Sequence, residues 1–352
     1  MTVSPARRTA FEVLAMVERG AKSDAALIVK TKELEARDAG LATQIVYGVL
    51  RRRAQLDWLI GQASARPPEK LDAAVLRALR MGAFQLRFLD RVPAHAAVAE
   101  SVELVRRAGL GWAAGFVNAV LRRLPSLPAK WPSEEIEYST PAWLLERWKR
   151  RLGPELALAA ARYGLEEPPA AERGGRPMDE GSQAIVPLLE LRPGELFLDV
   201  CAAPGNKTLQ ALEARVRAVA CDVSLKRLRN FLAPCPRVAA DAATGLPFGA
   251  VFDRILVDAP CTGTGTLARN PEIRWRVTPE EILRQAARQE AILREALRCL
   301  KPGGRLVYST CSLEAEENED VVARVCPDRV RSTLLRVPGR DPGDGFFAAV
   351  IE

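Results

Sequence analysis

Histidine is almost missing: the 352 residues contain one, His95. A mechanism that needs a histidine base therefore has one candidate, and it lies far from the motifs described below. The seven cysteines are odd in number and scattered, with none of the paired spacing of a metal site. No metal is expected, and the thiols are expected to be reduced, as in the cytoplasm. The longest apolar runs are broken by Arg, Glu or Gly, so no transmembrane span and no membrane partner are expected. Met1–Arg8 is followed by a mixed helical pattern and not by the apolar core of a signal peptide. What is there is a chain 48% hydrophobic and 27% charged, long enough for two ordinary domains with ample core.

Acidic charge is scarce in one half only. Residues 1–165 carry 26 Lys+Arg against 17 Asp+Glu, and residues 166–352 carry 25 against 27. A basic half beside a nearly neutral one fits a polyanion-binding part joined to a catalytic part, although many helical domains are basic without binding nucleic acid. Arginine clusters at 51–53, 106–107 and 122–123 fall near expected helix ends. A solvated face with favourable helix-dipole placement accounts for each of them taken singly.

Residues 4–125 read as successive helices. Ser4-Pro5 supplies an N-cap and a proline at the first helical position, before Phe11, Leu14, Ala15 and Val17. Asp38 opens a second pattern with Leu41, Ile45, Val46, Val49 and Leu50 at helical spacing. Residues 71–89, Pro93–Ala108 and Trp112–Leu124 repeat it. The expected divisions are an all-α domain over 1–130, a linker with short helices over 131–181, and an α/β domain over 182–352. Within the linker, 125–141 is proline-rich, Ala142–Tyr163 reads as a short helical piece and 166–181 as a flexible stretch. From about residue 183, candidate strands 196–200, 217–221, 236–239, 254–258 and 305–309 alternate with candidate helices 206–214, 224–231, 279–300 and 316–325. That alternation implies a Rossmann-like, mostly parallel, doubly wound sheet, whose ligands bind beyond the carboxyl ends of the strands.

The chemistry-bearing motifs all fall at such ends. The first strand runs into Cys201-Ala202-Ala203-Pro204-Gly205-Asn206-Lys207-Thr208. Its small residues let a ligand approach the backbone, and the helix that follows favours an anionic group. Asp222 ends the second candidate strand, where a carboxylate can accept from ribose hydroxyls, and Asp241 closes the third, within reach of an adenine amino group. Either aspartate could equally be a helix cap. Asp258-Ala259-Pro260-Cys261-Thr262-Gly263-Thr264-Gly265 ends the fourth strand, so a carboxylate and a thiol can face one pocket. Thr310-Cys311-Ser312 ends the fifth. Cys299 and Cys326, inside helical patterns, read as core residues. Cys261 and Cys311 read as chemical, and Cys201 as packing against a cofactor. Sequence alone does not assign separate roles to the two thiols.

These motifs, with Arg269-x-Pro271-x-x-x-Trp275, Glu317-Asn318-Glu319 and Asp344-Gly345-Phe346-Phe347-Ala348, resemble those of the RNA cytosine-C5 methyltransferases of the Nop/Sun type. The amino-terminal stretches Val46–Arg51, Val92–Ala96 and Phe116–Arg122 are similar to a NusB-like RNA-binding domain. The resemblance covers nearly the whole chain. It implies S-adenosylmethionine as methyl donor and RNA, 16S rRNA of the small subunit, as substrate; a monomer is the default expectation, which nothing in the sequence specifies. It further implies that Cys311 attacks carbon 6 of cytosine and that Cys261 assists breakdown of the adduct. Asp258 would hydrogen-bond the base and help protonate its ring nitrogen, and Lys207 would orient the base or lower a thiol pKa. Cys201, Ala202, Ala203, Pro204, Gly205, Asn206, Lys207, Asp222, Asp241 and Asp258 would hold the cofactor.

Two departures from the family pattern stand out. Asn206 replaces a second glycine, and asparagine tolerates left-handed backbone angles better than most residues. Several tens of residues of a small RNA-binding subdomain are absent between Glu166 and Gly181. Rival readings are an inactive RNA-binding protein of the same fold and a methyltransferase acting on another RNA such as tRNA.

Overall fold

The computed structural model describes residues 2–128 and 130–352. By contacts the chain forms two compact units. One comprises 1–147, 164–166 and 268–275, and the other 148–163, 167–267 and 276–352. The boundaries read from sequence, at 130 and 181, do not coincide with these contact boundaries. The chain crosses between units several times, which a linear reading of composition does not register.

The first unit is helical: α1 Pro5–Glu18, α2 Ser23–Thr31, α3 Ala36–Arg51, α4 Arg53–Ser64, α5 Ala73–Phe88, α6 Ala94–Arg107 and α7 Ala114–Arg123. Helices α2 and α4 have no separate counterpart in the expected pattern, and α3 starts two residues before Asp38. The spacing of Ile45, Val46, Val49 and Leu50 buries one stripe of α3 against Val13, Leu14, Leu79 and Phe84. Gly48 permits this packing, since a Cβ there would lie 1.9 Å from the Phe84 ring. Ser4 does not cap α1 with its side chain. Its hydroxyl instead donates to Glu100 (2.7 Å) and accepts from Arg7, and Arg7 also pairs with Glu100 at 2.8 Å.

The eight residues Ala268–Trp275 belong to this unit although they come from the middle of the second half of the sequence. Glu272 accepts from the backbone N–H and hydroxyl of Ser23 at 2.9 and 2.8 Å. Trp275 Nε1 donates to the Leu50 carbonyl at 2.8 Å. Arg51 donates to the Ala268 carbonyl, and Arg53 lies over the Trp275 ring. Arg274, 1% exposed, donates to the Ser139 and Gly164 carbonyls, and burial pulls its pKa down to about 9. The Arg51–Arg53 cluster is therefore not a solvated face: Arg52 covers Phe88, and Arg51 and Arg53 anchor the 268–275 segment. Arg106, Arg107, Arg122 and Arg123 are exposed.

The second unit is built on a seven-stranded sheet: β1 Leu196–Asp199, β2 Arg217–Asp222, β3 Arg237–Ala239, β4 Phe252–Asp258, β5 Leu300–Thr310, β6 Val330–Arg336 and β7 Phe346–Ile351. The strand order is β3-β2-β1-β4-β5-β7-β6, parallel except for β7. The first five strands coincide with the expected ones, and β6 and β7 lie outside them. Phe346–Ile351 is apolar throughout because both faces are covered. Phe347, Ala349 and Ile351 join one core, and Phe346, Ala348 and Val350 the other. The 21-residue helix Pro279–Cys299 buries Ala286, Ile292, Leu293 and Ala296 on the first of these faces. Cys299 and Cys326 lie in that core, as read from sequence.

The stretch 166–181, expected to be flexible, contains a small hairpin, Glu172–Arg173 paired with Arg176–Pro177. Gly174 and Gly175 supply the positive φ of its turn, as hairpin turns of this length require. The helical piece Ala142–Tyr163 is two helices broken at Gly153. Trp148 on the first is 1% exposed and donates from Nε1 to Glu314 at 2.9 Å. Among the described residues no helix is long and apolar enough to cross a membrane.

Candidate active site

The order β2-β1-β4-β5 brings four strand ends side by side, and each delivers one of the motifs read from sequence. At the end of β1 the chain turns through residues 201–205 into the helix Asn206–Leu212. Gly205 takes the left-handed conformation, φ 111°, and a Cβ there would lie 2.9 Å from the Phe231 ring. Asn206 is already helical, so its tolerance of left-handed angles is not called upon: Gly205 absorbs the turn.

Asp222, 3% exposed, accepts at Oδ2 from the Ala203 N–H (3.2 Å) and at Oδ1 from the Ser224 N–H (2.8 Å). Arg227 adds an ion pair at 3.4 Å and a hydrogen bond to the Ala203 carbonyl. Asp222 thus ties the first loop to β2 while keeping lone pairs for a further donor. Asp241 lies just past β3, where Oδ1 accepts from the Ala243 N–H at 3.1 Å. Asp199 was not singled out by sequence, being apolar-flanked at a strand end. It is 1% exposed; Oδ2 accepts from Thr208 at 2.6 Å and Oδ1 has no partner. Burial pushes its pKa up to about 7.

At the end of β4, Asp258 meets two partners. Lys207 Nζ lies 2.7 Å from Oδ2, and the Ser309 hydroxyl donates to Oδ1 at 2.9 Å. Lys207 also lies 5.2 Å from the Phe346 ring centroid. Its direct partner is the carboxylate, not a thiol, so the sequence alternative in which it lowers a thiol pKa finds no contact here. Strands β4 and β5 are paired in register through Asp258 and Ser309, which places the loops beyond them together.

Those loops bring the two thiols into contact. Cys261 Sγ and Cys311 Sγ are 3.3 Å apart, both half-buried and both free. The contact with the Cys311 sulfur, and then burial, push the Cys261 thiol up. Cys201 is also pushed up, mainly by burial, and is unsuited to nucleophilic work.

Around the thiols lies a polar network that sequence reading did not find. Thr262 donates from its backbone N–H and its hydroxyl to Glu317, and the Ser312 hydroxyl donates to the same carboxylate. Gln289 Nε2 bridges the Pro260 carbonyl (2.8 Å) and Glu317 Oε1 (3.2 Å). Glu317 and Asn318 are 0% exposed, while Glu319 on the same acidic run is exposed. The expected helix over 316–325 starts only at Glu319, after a single 3₁₀ turn Ala315–Glu317. Burial raises the Glu317 pKa against the opposing effect of its hydroxyl donors. His95 is exposed on α6 of the helical unit. Among the described residues no group of His, Cys, Asp or Glu could hold a metal ion.

Comparison with known proteins agrees with this arrangement. Residues 186–352 match the family described as 16S rRNA methyltransferase RsmB/F, and residues 4–125 match the NusB family. Ribosomal RNA small subunit methyltransferase B of Erwinia tasmaniensis is 32% identical over 408 aligned positions, which cover 95% of each chain. The protein of the same name from Thermus thermophilus is 34% identical over 356 positions, covering 92% of this chain and 87% of its own. The Erwinia alignment is longer than the 352 residues of this chain, so that relative carries insertions this chain lacks. In fold, the crystal structure of PH0851 superposes with a TM-score of 0.79 at 23% identity, covering 100% of this chain and 99% of its own. A NusB domain followed by this sheet, related over nearly its full length to such enzymes, makes the chain a member of the RsmB/F family and an S-adenosylmethionine-dependent RNA methyltransferase.

Proposed function

We propose that this protein methylates carbon 5 of a cytosine in 16S rRNA, through a covalent bond between Cys311 and carbon 6 of the base. The observation that carries the reading is the pair of free thiols 3.3 Å apart at the ends of adjacent strands, beside an aspartate held by a lysine. Carbon 5 of cytosine is a poor nucleophile. Addition of the Cys311 thiolate to carbon 6 makes an enamine-like system whose carbon 5 can attack an electrophile, so one hard step becomes easier ones. Asp258, fixed by Lys207 and Ser309, hydrogen-bonds the base edge and, with the lysine ammonium, holds a proton beside the ring nitrogen that gains charge. Cys261, as thiolate, then takes the carbon-5 proton; the C–H electron pair re-forms the carbon 5–carbon 6 double bond, and Cys311 leaves as a thiolate. The base must leave its stack to reach the thiols.

The residues present suit S-adenosylmethionine. Asp199 Oδ1 is a buried carboxylate oxygen without a partner, suited to a cationic amino group. Asp222 and Asp241 stand at the next two strand ends, where ribose and adenine donors are expected. Cys201, Ala202, Ala203, Pro204, Gly205 and Asn206 would line the approach with backbone and small side chains. When bound, the cofactor supplies the methyl group. An RNA substrate and seven unpaired cysteines fit a reducing, cytoplasmic setting.

The test is transfer of labelled methyl from S-adenosylmethionine to unmodified small-subunit rRNA, with Cys311→Ala and Cys261→Ala beside wild type. Label in 5-methylcytosine that is lost with Cys311→Ala, and a protein–RNA adduct that accumulates with Cys261→Ala, are expected. Label in tRNA but not rRNA would change the substrate. Absence of label from every RNA would overturn the enzymatic reading.

A further inference from the structure

The two thiols meet in a sulfur–sulfur contact at 3.3 Å, and the Cys311 backbone also bonds the Cys261 thiol. The residue after each thiol, Thr262 and Ser312, bonds to one carboxylate, that of Glu317. Oε1 accepts from the Thr262 N–H at 2.8 Å and from Gln289 at 3.2 Å, and Oε2 accepts from the Thr262 and Ser312 hydroxyls. The backbone of Glu317 is pinned as well, its carbonyl accepting from the Tyr308 hydroxyl at 2.6 Å. Burying a carboxylate is costly unless its oxygens are satisfied, and an apolar side chain of similar size would fill the space with less penalty. Here every donor to the carboxylate comes from the Cys261 loop, the Cys311 loop or the long helix behind them. An apolar replacement could pack, but it could not join the loops.

We infer that Glu317 is the positioning residue that holds the Cys261 and Cys311 thiols in register, acting through Thr262 and Ser312. It touches neither thiol directly. The inference rests on the covalent reading above for its consequence in turnover, but not for its geometry. Other links keep the loops adjacent without it: Gly265 N–H to the Cys311 carbonyl at 2.9 Å, Thr264 to Ser312 at 3.2 Å, and the Leu313 N–H to Thr264 at 2.9 Å. Loss of Glu317 therefore displaces the thiols without releasing the loops. In Glu317→Gln the amide oxygen can still accept from the Thr262 N–H. Its NH₂ faces two hydroxyls that can rotate to accept, so the conservative change preserves the connection.

The geometry is tested on the full chain without RNA or cofactor, using phenylarsine oxide. The reagent condenses with two neighbouring thiols, forming two As–S bonds and releasing one water, with no change of oxidation state. Wild type is expected to take up one bridging group, lost with Cys261→Ala or Cys311→Ala. Glu317→Ala is expected to slow capture about tenfold and Glu317→Gln to restore it, at unchanged S-adenosylmethionine affinity. In methyl transfer, Glu317→Ala is expected to lower kcat about 100-fold with little change in KM, the scale of an ångström-sized misplacement. Wild-type capture by a folded Glu317→Ala would overturn the inference even if turnover fell. Glu317-dependent capture with no methylation of any RNA by wild type would leave the positioning role standing and remove the enzymatic reading. Should Glu317→Ala not fold, the double variant Thr262→Val, Ser312→Ala removes the hydroxyl donors instead. Slowed capture there supports the role, and wild-type capture overturns it.

Discussion

The loop after β1 and the two loops after β4 and β5 lie on one edge of the same sheet, yet they are built by different means. The first is shaped almost entirely by neighbours in sequence. Gly205 makes the turn, Thr208 bonds Asp199 nine residues back, and Asp222 ties the loop to the next strand. The thiol loops are shaped by residues about 50 positions apart: Asp258 with Ser309, Cys261 with Cys311, and Thr262 with Glu317. Local backbone chemistry makes a surface that a cofactor can approach. Long-range side-chain bonding sets the separation of two reactive atoms, where an ångström decides the rate.

The largest effect that separates the two regions is expected at the thiols. Cys311→Ala should lower methyl transfer by at least roughly 10³-fold while leaving S-adenosylmethionine affinity unchanged, as read by label incorporation and by calorimetry. Equal loss of cofactor binding would show that the regions are not separable. Lys207→Met sits between them, since Lys207 lies in the first turn of the helix that follows the first loop and its ammonium reaches Asp258. A fall in kcat of about 100-fold, with modest change in cofactor Kd, is expected from steady-state kinetics.

A smaller effect tests the buried floor of the first loop. The folded-state pKa of Asp199, about 7, lies above the ordinary 3.8, so the folded protein binds the extra proton between these values. Its contribution to stability is fully present below pH 4 and is lost as pH rises through 7. Asp199→Asn should remove this slope and gain about 3 kcal/mol relative to wild type on going from pH 5 to pH 8, measured by urea unfolding at each pH. A difference between the two proteins that does not vary with pH would refute it. The smallest effect belongs to Gly205→Ala. Its left-handed φ and the Phe231 contact should cost about 1–2 kcal/mol in stability. The same change should weaken cofactor binding and leave capture of the thiol pair by phenylarsine oxide intact. Impaired capture would mean that the two regions are coupled.

Much of the architecture was legible because periodicity is local. The helical spacing of Ile45, Val46 and Val49, and the alternation of strand and loop from residue 196, come from burial of one stripe or of both faces. Strand β7 escaped because Phe346–Ile351, buried on both sides, has no alternation to read. Strand β6 escaped because it is a mostly polar edge. The arginines at 51–53 looked like a helix end facing water, because the partners of Arg51 and Arg53 stand more than 200 residues away. Glu317 belongs to a recognisable motif, but its role is not legible there, because nothing in Glu316–Glu319 distinguishes the residue that turns inward.

The sequence by itself determined which residue types stand at the strand ends: the small-residue loop, three carboxylates, a lysine and two thiols. Residue identity and strand periodicity are properties of neighbouring positions, and they carry the family and its chemistry. Only the tertiary structure decided that Lys207 pairs with Asp258, that the two sulfurs meet, and that one buried carboxylate binds both of their loops. Those contacts depend on strand order and register, which bring distant positions within bonding distance. A carboxylate shows no mark of burial until the donors that compensate it are in place.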